Sequence, residues 1–246
     1  MSEETVVGQD RCDTPVLSWS VITDYFPNVR PSTYLKPLPE YGVVYVKNPK
    51  AACSTLLLWL DRIHTGDPDF TPKNIHKETR LPTIADVGRR RVVRMLSGAA
   101  YRFTFVRDPR SRIESAYWDK MVRSPQWGQR ALARLPLEVP EASTPTFEQF
   151  LDAVERQDPL TDMDPHWRPQ HLNLLHPYVT FDRVGHLESF QSDLDRICEE
   201  SGLPLLPAEP RNRSQRRKTR GVYDGRPDLL RRVEELYATD MELYGY

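Results

Sequence analysis

A short apolar run that turns directly into a helix is the feature that most constrains how this chain can fold. Residues 42–47 are rich in β-branched and aromatic residues and predict a buried strand, which ends at the turn signal Asn48-Pro49. An apolar segment follows and predicts a helix that continues to about His64. Because such a turn leaves the first helical N–H groups unpaired and aimed at one point, the connection predicts an anion-binding cradle.

The side chains of this cradle suit a phosphate group. Lys50 adds a full positive charge, and Ser54 and Thr55 add hydroxyl donors. The glycine patterns of the common nucleotide-binding loops, Gly-x-x-x-x-Gly-Lys-Ser/Thr and Gly-x-Gly-x-x-Gly, are absent. Taken alone, the segment is also compatible with an ordinary strand–turn–helix that carries a surface lysine.

Composition indicates one large α/β domain and excludes several classes of function. The chain has 246 residues, of which 39% are hydrophobic and 28% charged, and its formal net charge is −1. Such a charge gives no global attraction to nucleic acid or to an anionic membrane, so any anion site must be local. No apolar run approaches the ~20 residues that span a bilayer. Cys12, Cys53 and Cys198 offer neither a disulfide framework nor a metal site.

A second strand–turn–helix unit lies further along the chain. Residues 101–107 predict a strand that ends at Asp108-Pro109, and Ser111 with Glu114 has the spacing of a capping box for the next helix. Two such units predict a parallel sheet whose ligand lies at the carboxyl ends of the strands. We expect residues 1–40, which are polar and proline-rich, to form an arm that packs on a domain of residues 41–246.

The two units together resemble sulfotransferases that use 3′-phosphoadenosine 5′-phosphosulfate (PAPS). Residues 49–55 are similar to the family's 5′-phosphosulfate loop, and residues 105–117 to its 3′-phosphate motif. The resemblance implies a three-layer, P-loop-NTPase-like α/β fold, with a central parallel sheet flanked by helices, and it implies no metal. Arginine suits the 3′-phosphate because it binds phosphate in a bidentate way. The implied cofactor-binding residues are Lys50, Ala51, Ala52, Cys53, Ser54, Thr55, Arg107 and Ser115.

Later segments resemble the carbohydrate sulfotransferases that include the HNK-1 and chondroitin/dermatan 4-O enzymes. Residues 164–170 are similar to their His-Trp-x-Pro segment, residues 178–188 to a strand leading into a glycine and a helix, and residues 236–246 to their closing helix. The basic stretch 211–220 is a lid over the cofactor phosphates, a docking site for an acidic acceptor or a solvated loop. The resemblance implies acceptor contacts from His166, Trp167 and Arg168, and a cofactor contact from Asn212.

The implied reaction moves a sulfuryl group from PAPS to an acceptor hydroxyl and releases 3′-phosphoadenosine 5′-phosphate (PAP). The protein mostly positions the reactants and stabilises charge, so we expect Lys50 to act on the leaving phosphate. A hydroxyl acceptor also needs a general base, and histidine suits that role near neutral pH. His76 lies between the two phosphate motifs, where related enzymes place a histidine, and is the predicted base. His166, His171 and Glu78 are the other candidates.

Two departures from the resemblance bear on location and acceptor. The Golgi enzymes carry a membrane anchor, whereas no apolar run of this sequence is long enough to be one. They also carry a cysteine pair, and the corresponding positions here hold Leu174 and Pro177. We therefore expect a bacterial, cytoplasmic enzyme, whose acceptor is a glycan, a glycolipid or a natural product with or without sugars. A small-molecule kinase of the P-loop type and a non-catalytic nucleotide-binding protein are the alternatives. The missing Walker spacing argues against the kinase.

Overall fold

A mixed four-stranded sheet organises the part of the chain that the computed structural model describes, residues 15–124, 144–208 and 221–246. The strands lie in the order β1-β2-β3-β4. Strands β2, β3 and β4 are parallel, whereas β1 pairs antiparallel with β2 at one edge. The strands are β1 (Leu35–Leu38), β2 (Val43–Val46), β3 (Tyr101–Val106) and β4 (Arg183–His186).

Helices connect the strands and cover the sheet. Among the described residues, none of the helices is long and apolar enough to cross a membrane. The helices are α1 (Trp19–Tyr25), α2 (Cys53–Thr65), α3 (Ile75–Glu78), α4 (Ile84–Val87), α5 (Arg89–Arg94), α6 (Pro109–Tyr117), α7 (Phe147–Glu155), α8 (Gln170–Asn173), α9 (Phe190–Ser201), α10 (Pro227–Leu236) and α11 (Ala238–Tyr244). Short 3-10 turns at Pro31–Thr33 and Leu187–Ser189 and π-helical turns at Met95–Ala99 and Trp118–Val122 complete the described secondary structure.

Alternating side chains of β2 divide the core into two layers. Val43 and Tyr45 pack in a cluster with residues of α2 and α9, and Val44 and Val46 pack in a cluster with residues of α1 and α5. Because successive residues of a strand point to opposite faces, β2 is buried on both sides. The resulting helix–sheet–helix arrangement confirms the three-layer α/β fold that the sequence predicted.

Strand β1 comes from the segment that was expected to form an arm on the domain. Leu35–Leu38 is buried along its whole length and pairs with β2 from Leu35 opposite Val46 to Leu38 opposite Val43. The sheet therefore starts before residue 41. Pro37 is tolerated in this strand because an edge strand does not need every backbone donor.

Helix α6 begins at a different residue from the one predicted. Asp108 caps it by accepting a hydrogen bond from a backbone N–H two residues later at 2.8 Å, and Pro109 is the first helical residue. Ser111 instead donates to the carbonyl oxygen of Asp108 at 3.1 Å and accepts from Arg107 Nε at 2.9 Å. The predicted capping box of Ser111 and Glu114 is therefore wrong, because Asp-Pro already starts the helix.

Strand β4 is shorter than the resemblance implied. The predicted strand started near Tyr178, but the observed one begins at Arg183. Just before it, the Asp182 carboxylate accepts hydrogen bonds from the backbone N–H of Arg102 at 2.7 Å and from its guanidinium at 2.9 and 3.0 Å. These contacts fix the register in which Phe103 lies opposite Arg183.

A buried amide network joins the carboxyl ends of β2 and β3. Asn48 Nδ2 donates to the carbonyl oxygen of Phe105 at 3.1 Å and to Gln170 Oε1 at 2.8 Å. Gln170 also accepts from the backbone N–H of Arg107 at 3.0 Å and donates to its carbonyl oxygen at 2.8 Å. The residues that follow the two strands are thus held at fixed positions relative to each other.

The closing helix fixes the segment that supplies Gln170. In α11, the fully buried Asp240 carboxylate accepts the backbone N–H groups of Gln170 at 2.6 Å and His171 at 2.9 Å. The hydroxyl of Tyr237 donates to the carbonyl oxygen of Trp167 at 2.5 Å. The tyrosine and aspartate of the closing motif are therefore structural anchors for residues 167–171.

We expect Asp240→Asn to lower the free energy of unfolding by about 2–4 kcal/mol, because an amide N–H would face backbone donors in the core. Urea denaturation followed by circular dichroism measures this change. Glu242→Gln is the matched control, since it makes the same chemical change at an exposed position of α11. Equal stabilities of the two variants would contradict the anchoring role of Asp240.

Candidate active site

The carboxyl ends of β2 and β3 open into a cavity of about 730 Å³. Parallel strands end at the same edge of a sheet, so the loops that follow them converge there. The volume lies within the range of typical small-molecule sites. The cavity is lined by Thr33, Tyr34, Lys47, Pro49, Lys50, Ala52, Cys53, Ser54, Thr55, His76, Arg107, Ser115, Asp119, Lys120, His166, Leu187 and Phe190.

The loop between β2 and α2 forms the predicted cradle. Lys50 and Ala52 have φ angles of 70° and 56°, in the left-handed region that non-glycine residues rarely adopt, so the loop turns tightly at a cost in backbone strain. Helix α2 begins directly after it with no side-chain cap. The positive end of the helix dipole therefore faces the cavity, together with the side chains of Ser54 and Thr55. Ala51 packs in the core instead and does not line the cavity.

Positive charge dominates the cavity. Its cationic lining residues are Lys47, Lys50, Arg107 and Lys120. Asp119 is the only acidic residue among the described lining residues, and its Oδ2 lies 3.0 Å from Lys50 Nζ and 3.6 Å from Lys120 Nζ. Burial lowers the pKa of Lys47 and of Lys50, because both ammonium groups are surrounded by protein atoms. A site with this excess of positive charge suits a polyanion.

The second predicted phosphate motif reaches the same cavity. Arg107 follows β3 directly, and α6 brings Ser115 back to the cavity wall. Arg107 Nη1 donates to the carbonyl oxygen of Lys50 at 3.4 Å. The structure thus brings Arg107 and Ser115 together with the cradle, although the two motifs are far apart in sequence.

Arg112 is a supporting residue that the sequence analysis did not single out. Its guanidinium is buried and donates to the carbonyl oxygens of Pro49 at 3.0 Å, Arg168 at 2.8 Å and Pro165 at 2.9 Å. It therefore ties the cradle to the 164–170 segment. Its partners are backbone carbonyls from distant parts of the chain, which leave no signal in the sequence.

Helix α3 carries His76 to the cavity. Asn74 caps this helix by accepting the backbone N–H of His76 at 3.1 Å, and the buried Asp61 of α2 accepts the Arg80 backbone N–H at 2.6 Å just beyond it. His76 Nε2 lies 2.8 Å from Ser54 Oγ. Partial burial of the imidazole, with neighbouring cationic side chains, lowers the pKa of His76 to about 4. The ring is therefore neutral near pH 7.

Of the three residues predicted to contact an acceptor, only His166 lines the cavity. Trp167 is fully buried and donates its indole N–H to Gln157 Oε1 at 2.8 Å. Arg168 is also buried and donates to the carbonyl oxygen of Tyr25 at 2.6 Å. The prediction that Trp167 and Arg168 contact the acceptor is therefore wrong, because their side chains lie in the core and do not line the cavity.

Several lining residues were not predicted. Asp119 lies four residues, or about one helical turn, after Ser115. This spacing places both side chains on the same side of the helix, and it is the sequence signal that could have predicted Asp119 as a cavity residue. Tyr34 comes from the segment before β1, and its ring centroid lies 5.0 Å from Lys47 Nζ. No local pattern predicts that contact. Asn212 and the basic stretch 211–220 lie outside the described residues.

Comparison with known proteins identifies the family. The profile described as "Sulfotransferase family" matches residues 36–246. The chain belongs to the sulfotransferase family. This membership confirms the resemblance that the phosphate motifs indicated, and it accounts for a cationic cavity at the ends of β2 and β3.

The curated relatives that this sulfotransferase matches are carbohydrate sulfotransferases. Carbohydrate sulfotransferase 14 of Mus musculus is 30% identical over 171 residues, which cover 65% of this chain and 44% of the relative. Its Homo sapiens counterpart is 29% identical over 172 residues, with the same coverage of 65% and 44%. Carbohydrate sulfotransferase 11 of Mus musculus is 23% identical over 186 residues, covering 67% and 51%. The match thus spans less than half of the first two relatives. No solved structure matches the chain significantly.

We expect the His76 imidazole to stay neutral until the pH falls well below 6. Its lowered pKa means that the unfolded chain binds this proton more tightly than the folded protein does. The contribution of His76 to stability is therefore complete above about pH 6.5 and is lost as the pH falls toward about 4. NMR titration of ¹⁵N-labelled imidazoles measures the pKa, and His76→Gln assigns the signal. A midpoint at or above the usual value of about 6.5 would contradict this prediction.

Proposed function

We propose that this sulfotransferase transfers a sulfuryl group from PAPS to a hydroxyl of a carbohydrate or glycosylated acceptor. The main support for the proposal is that the cradle, Arg107 and Ser115 line the same cationic cavity. Family membership supports sulfuryl transfer, and the names of the relatives support a carbohydrate acceptor. The cytoplasmic location that the sequence predicted remains a prediction.

The donor groups of the cavity fit PAPS, which carries anionic groups at the 5′ and 3′ positions of its ribose. Lys50, the start of α2 and the hydroxyls of Ser54 and Thr55 would hold the 5′-phosphosulfate. Arg107 and Ser115 would hold the 3′-phosphate, with bidentate hydrogen bonds available from the guanidinium. Bound PAPS supplies the activated sulfuryl group and leaves as PAP.

The side chains of the protein would stabilise charge and accept a proton. Lys50 and the N-terminus of α2 face the place where negative charge develops on the leaving phosphate, so both favour the transition state. Lys50 must then turn from Asp119 toward the phosphate, or share its charge between them. His76, the predicted base, is neutral and lines the cavity, as does a second histidine, His166. Either imidazole can accept the proton of an acceptor hydroxyl.

Calorimetric binding of PAP to the purified protein, with ATP and AMP as comparison ligands, tests the proposal. We expect micromolar affinity for PAP and much weaker binding of ATP and AMP. Arg107→Ala should weaken PAP binding by about 30-fold, because it removes charge-assisted hydrogen bonds worth about 2 kcal/mol. Arg110→Ala is the matched control, since Arg110 pairs with Asp108 and does not line the cavity.

Two outcomes would overturn the proposed donor. One is the absence of PAP binding, and the other is equal affinity for PAP and ATP, which would favour a kinase. Where PAP binds as expected, incubation with radiolabelled PAPS and panels of glycans, glycolipids and natural products tests the acceptor class. Labelling confined to acceptors without a sugar would contradict the carbohydrate part of the proposal.

We further expect Asp119→Asn to tighten PAP binding by about 3- to 10-fold at low salt. The Asp119 carboxylate competes with the ligand for Lys50, and its removal raises the positive charge of the cavity. The gain should shrink as salt is added, because salt screens charges that solvent reaches. Calorimetry at two salt concentrations measures the effect, with Glu242→Gln as the carboxylate-to-amide control. Weaker binding would instead show that Asp119 holds Lys50 in its binding position.

A further inference from the structure

We propose that the Lys47 ammonium binds the sulfuryl group of PAPS, next to the cradle that holds the 5′-phosphate. This inference rests on the proposed sulfuryl transfer and adds to it a residue that lies outside both phosphate motifs. Lys47 comes directly after β2 and lines the cavity. Its contact would let the cavity distinguish PAPS from the product PAP, which lacks the sulfuryl group.

The Lys47 side chain is buried and has no anionic partner. The residue is 7% exposed. Within the described part of the chain, its ammonium forms no ion pair and donates no hydrogen bond, and its one printed side-chain contact is with an aromatic ring. A buried charge without a partner is costly, and the ammonium keeps three N–H donors to offer. The arrangement therefore suits a cavity that an anionic ligand completes.

An aromatic platform fixes the position of the Lys47 ammonium. The centroid of the Tyr34 ring lies 5.0 Å from Lys47 Nζ, and Phe26 stacks on Tyr34 with ring centroids 5.0 Å apart. The backbone N–H of Lys47 also donates to the carbonyl oxygen of Tyr34 at 2.8 Å, which continues the pairing of β1 with β2. A ring face attracts a cation but supplies no oxygen acceptor. The platform thus holds the charge and leaves its oxygen-binding capacity for a ligand.

The charge of Lys47 acts where the sulfuryl group must move. Burial is the largest cause of the lowered pKa of His76, and the charge of Lys47 is the next. His76 Nε2 in turn lies 2.8 Å from Ser54 Oγ of the cradle. In an in-line transfer, sulfur lies between the leaving phosphate oxygen and the acceptor oxygen. A cation that acts on His76 beside the cradle is therefore suited to the group in transit.

The neighbouring lysines have other partners. Asp119 Oδ2 lies 3.0 Å from Lys50 Nζ and 3.6 Å from Lys120 Nζ. Lys36, which is also buried, donates to the carbonyl oxygen of Ser32 at 2.8 Å and does not line the cavity. A phosphosulfate carries charge on its phosphate and on its sulfate. Lys50 in the cradle suits the phosphate, and Lys47 suits the sulfate.

Lys47 neither gains nor loses an atom in the transfer. The acceptor oxygen forms a bond to sulfur while the bond from sulfur to the bridging phosphate oxygen breaks. The electron pair of the broken bond stays on that oxygen and leaves with PAP, and the hydroxyl proton goes to a cavity imidazole. The ammonium binds the oxygens that remain on sulfur throughout, so it keeps the group oriented toward the acceptor.

The first test compares PAPS with PAP as ligands of Lys47→Met, which keeps the apolar part of the side chain. We expect PAPS affinity to fall about 30-fold, because charge-assisted hydrogen bonds are lost, and PAP affinity to stay within about threefold. Lys50→Met should weaken both ligands. Calorimetry without acceptor measures the affinities, chromatography confirms that PAPS stays intact, and thermal melts confirm that each variant folds.

Lys36→Met is the matched control for the loss of a buried ammonium. Its charge lies near enough to Lys47 that Lys47, after burial, is a cause of the lowering of the pKa of Lys36 to about 8. Because Lys36 does not line the cavity, this variant should keep the ratio of PAPS affinity to PAP affinity of the wild-type protein. A general change in cavity charge would instead affect both variants alike.

The second test needs no variant. Formaldehyde with cyanoborohydride methylates accessible amines, and peptide mass spectrometry reads the extent of methylation at each lysine. We expect PAPS to protect Lys47 and Lys50, whereas PAP should protect Lys50 and leave Lys47 reactive. Lys73, which is exposed, is the internal standard. Where Lys47→Met fails to fold, this labelling pattern decides the question.

Several results would overturn the assignment. They are an equal loss of PAPS and PAP affinity in Lys47→Met, unchanged affinity for both ligands, and equal labelling of Lys47 in the two complexes. Normal PAPS affinity with a raised KM for an acceptor would assign the ammonium to the acceptor instead. Failure of the wild-type protein to bind PAP would reject the proposed function itself, and that outcome is distinct from all of these.

Discussion

The side chain of Gln170 connects the ends of two neighbouring strands, and the shape of the cavity depends on that connection. Its amide bonds to Asn48 after β2 and to both backbone groups of Arg107 after β3, while its own backbone N–H is bound by Asp240. Asn48, Gln170 and Asp240 are fully buried, so loss of one of these side chains leaves polar partners unpaired in the core. The distance between the cradle and Arg107 is therefore set by hydrogen bonds that no ligand supplies.

The same principle extends from the strand ends to the segment that carries His166. Arg112 and Tyr237 bind carbonyl oxygens from different parts of that segment, and Arg112 also binds the carbonyl oxygen of Pro49 at the edge of the cradle. A buried guanidinium with several carbonyl partners is costly to disrupt, because each lost bond leaves a polar group unpaired. The cradle and the segment that carries His166 are thereby joined into one structure.

Electrostatics explains why the cavity needs that rigidity. The chain carries a net charge of −1, yet four cationic side chains converge where β2 and β3 end. Their mutual repulsion and burial oppose the folded state, and Asp119 offsets only part of this cost through its contacts with Lys50 and Lys120. Hydrogen bonds among uncharged backbone and amide groups hold the loops that carry these charges. A bound polyanion, such as the proposed PAPS, would relieve the repulsion, so the preorganised loops would favour its binding.

The sequence by itself predicted β2, β3, the end of α2 and the grouping of Lys50, Arg107 and Ser115 at one site, because strand pattern, turn residues and motif spacing are local. Tertiary structure decided the rest. Strand β1 joined the sheet through pairing with a later strand, and Trp167 and Arg168 entered the core although they adjoin His166. Such outcomes depend on partners distant in the chain, and a residue's neighbours in sequence do not reveal which side of a turn meets the core.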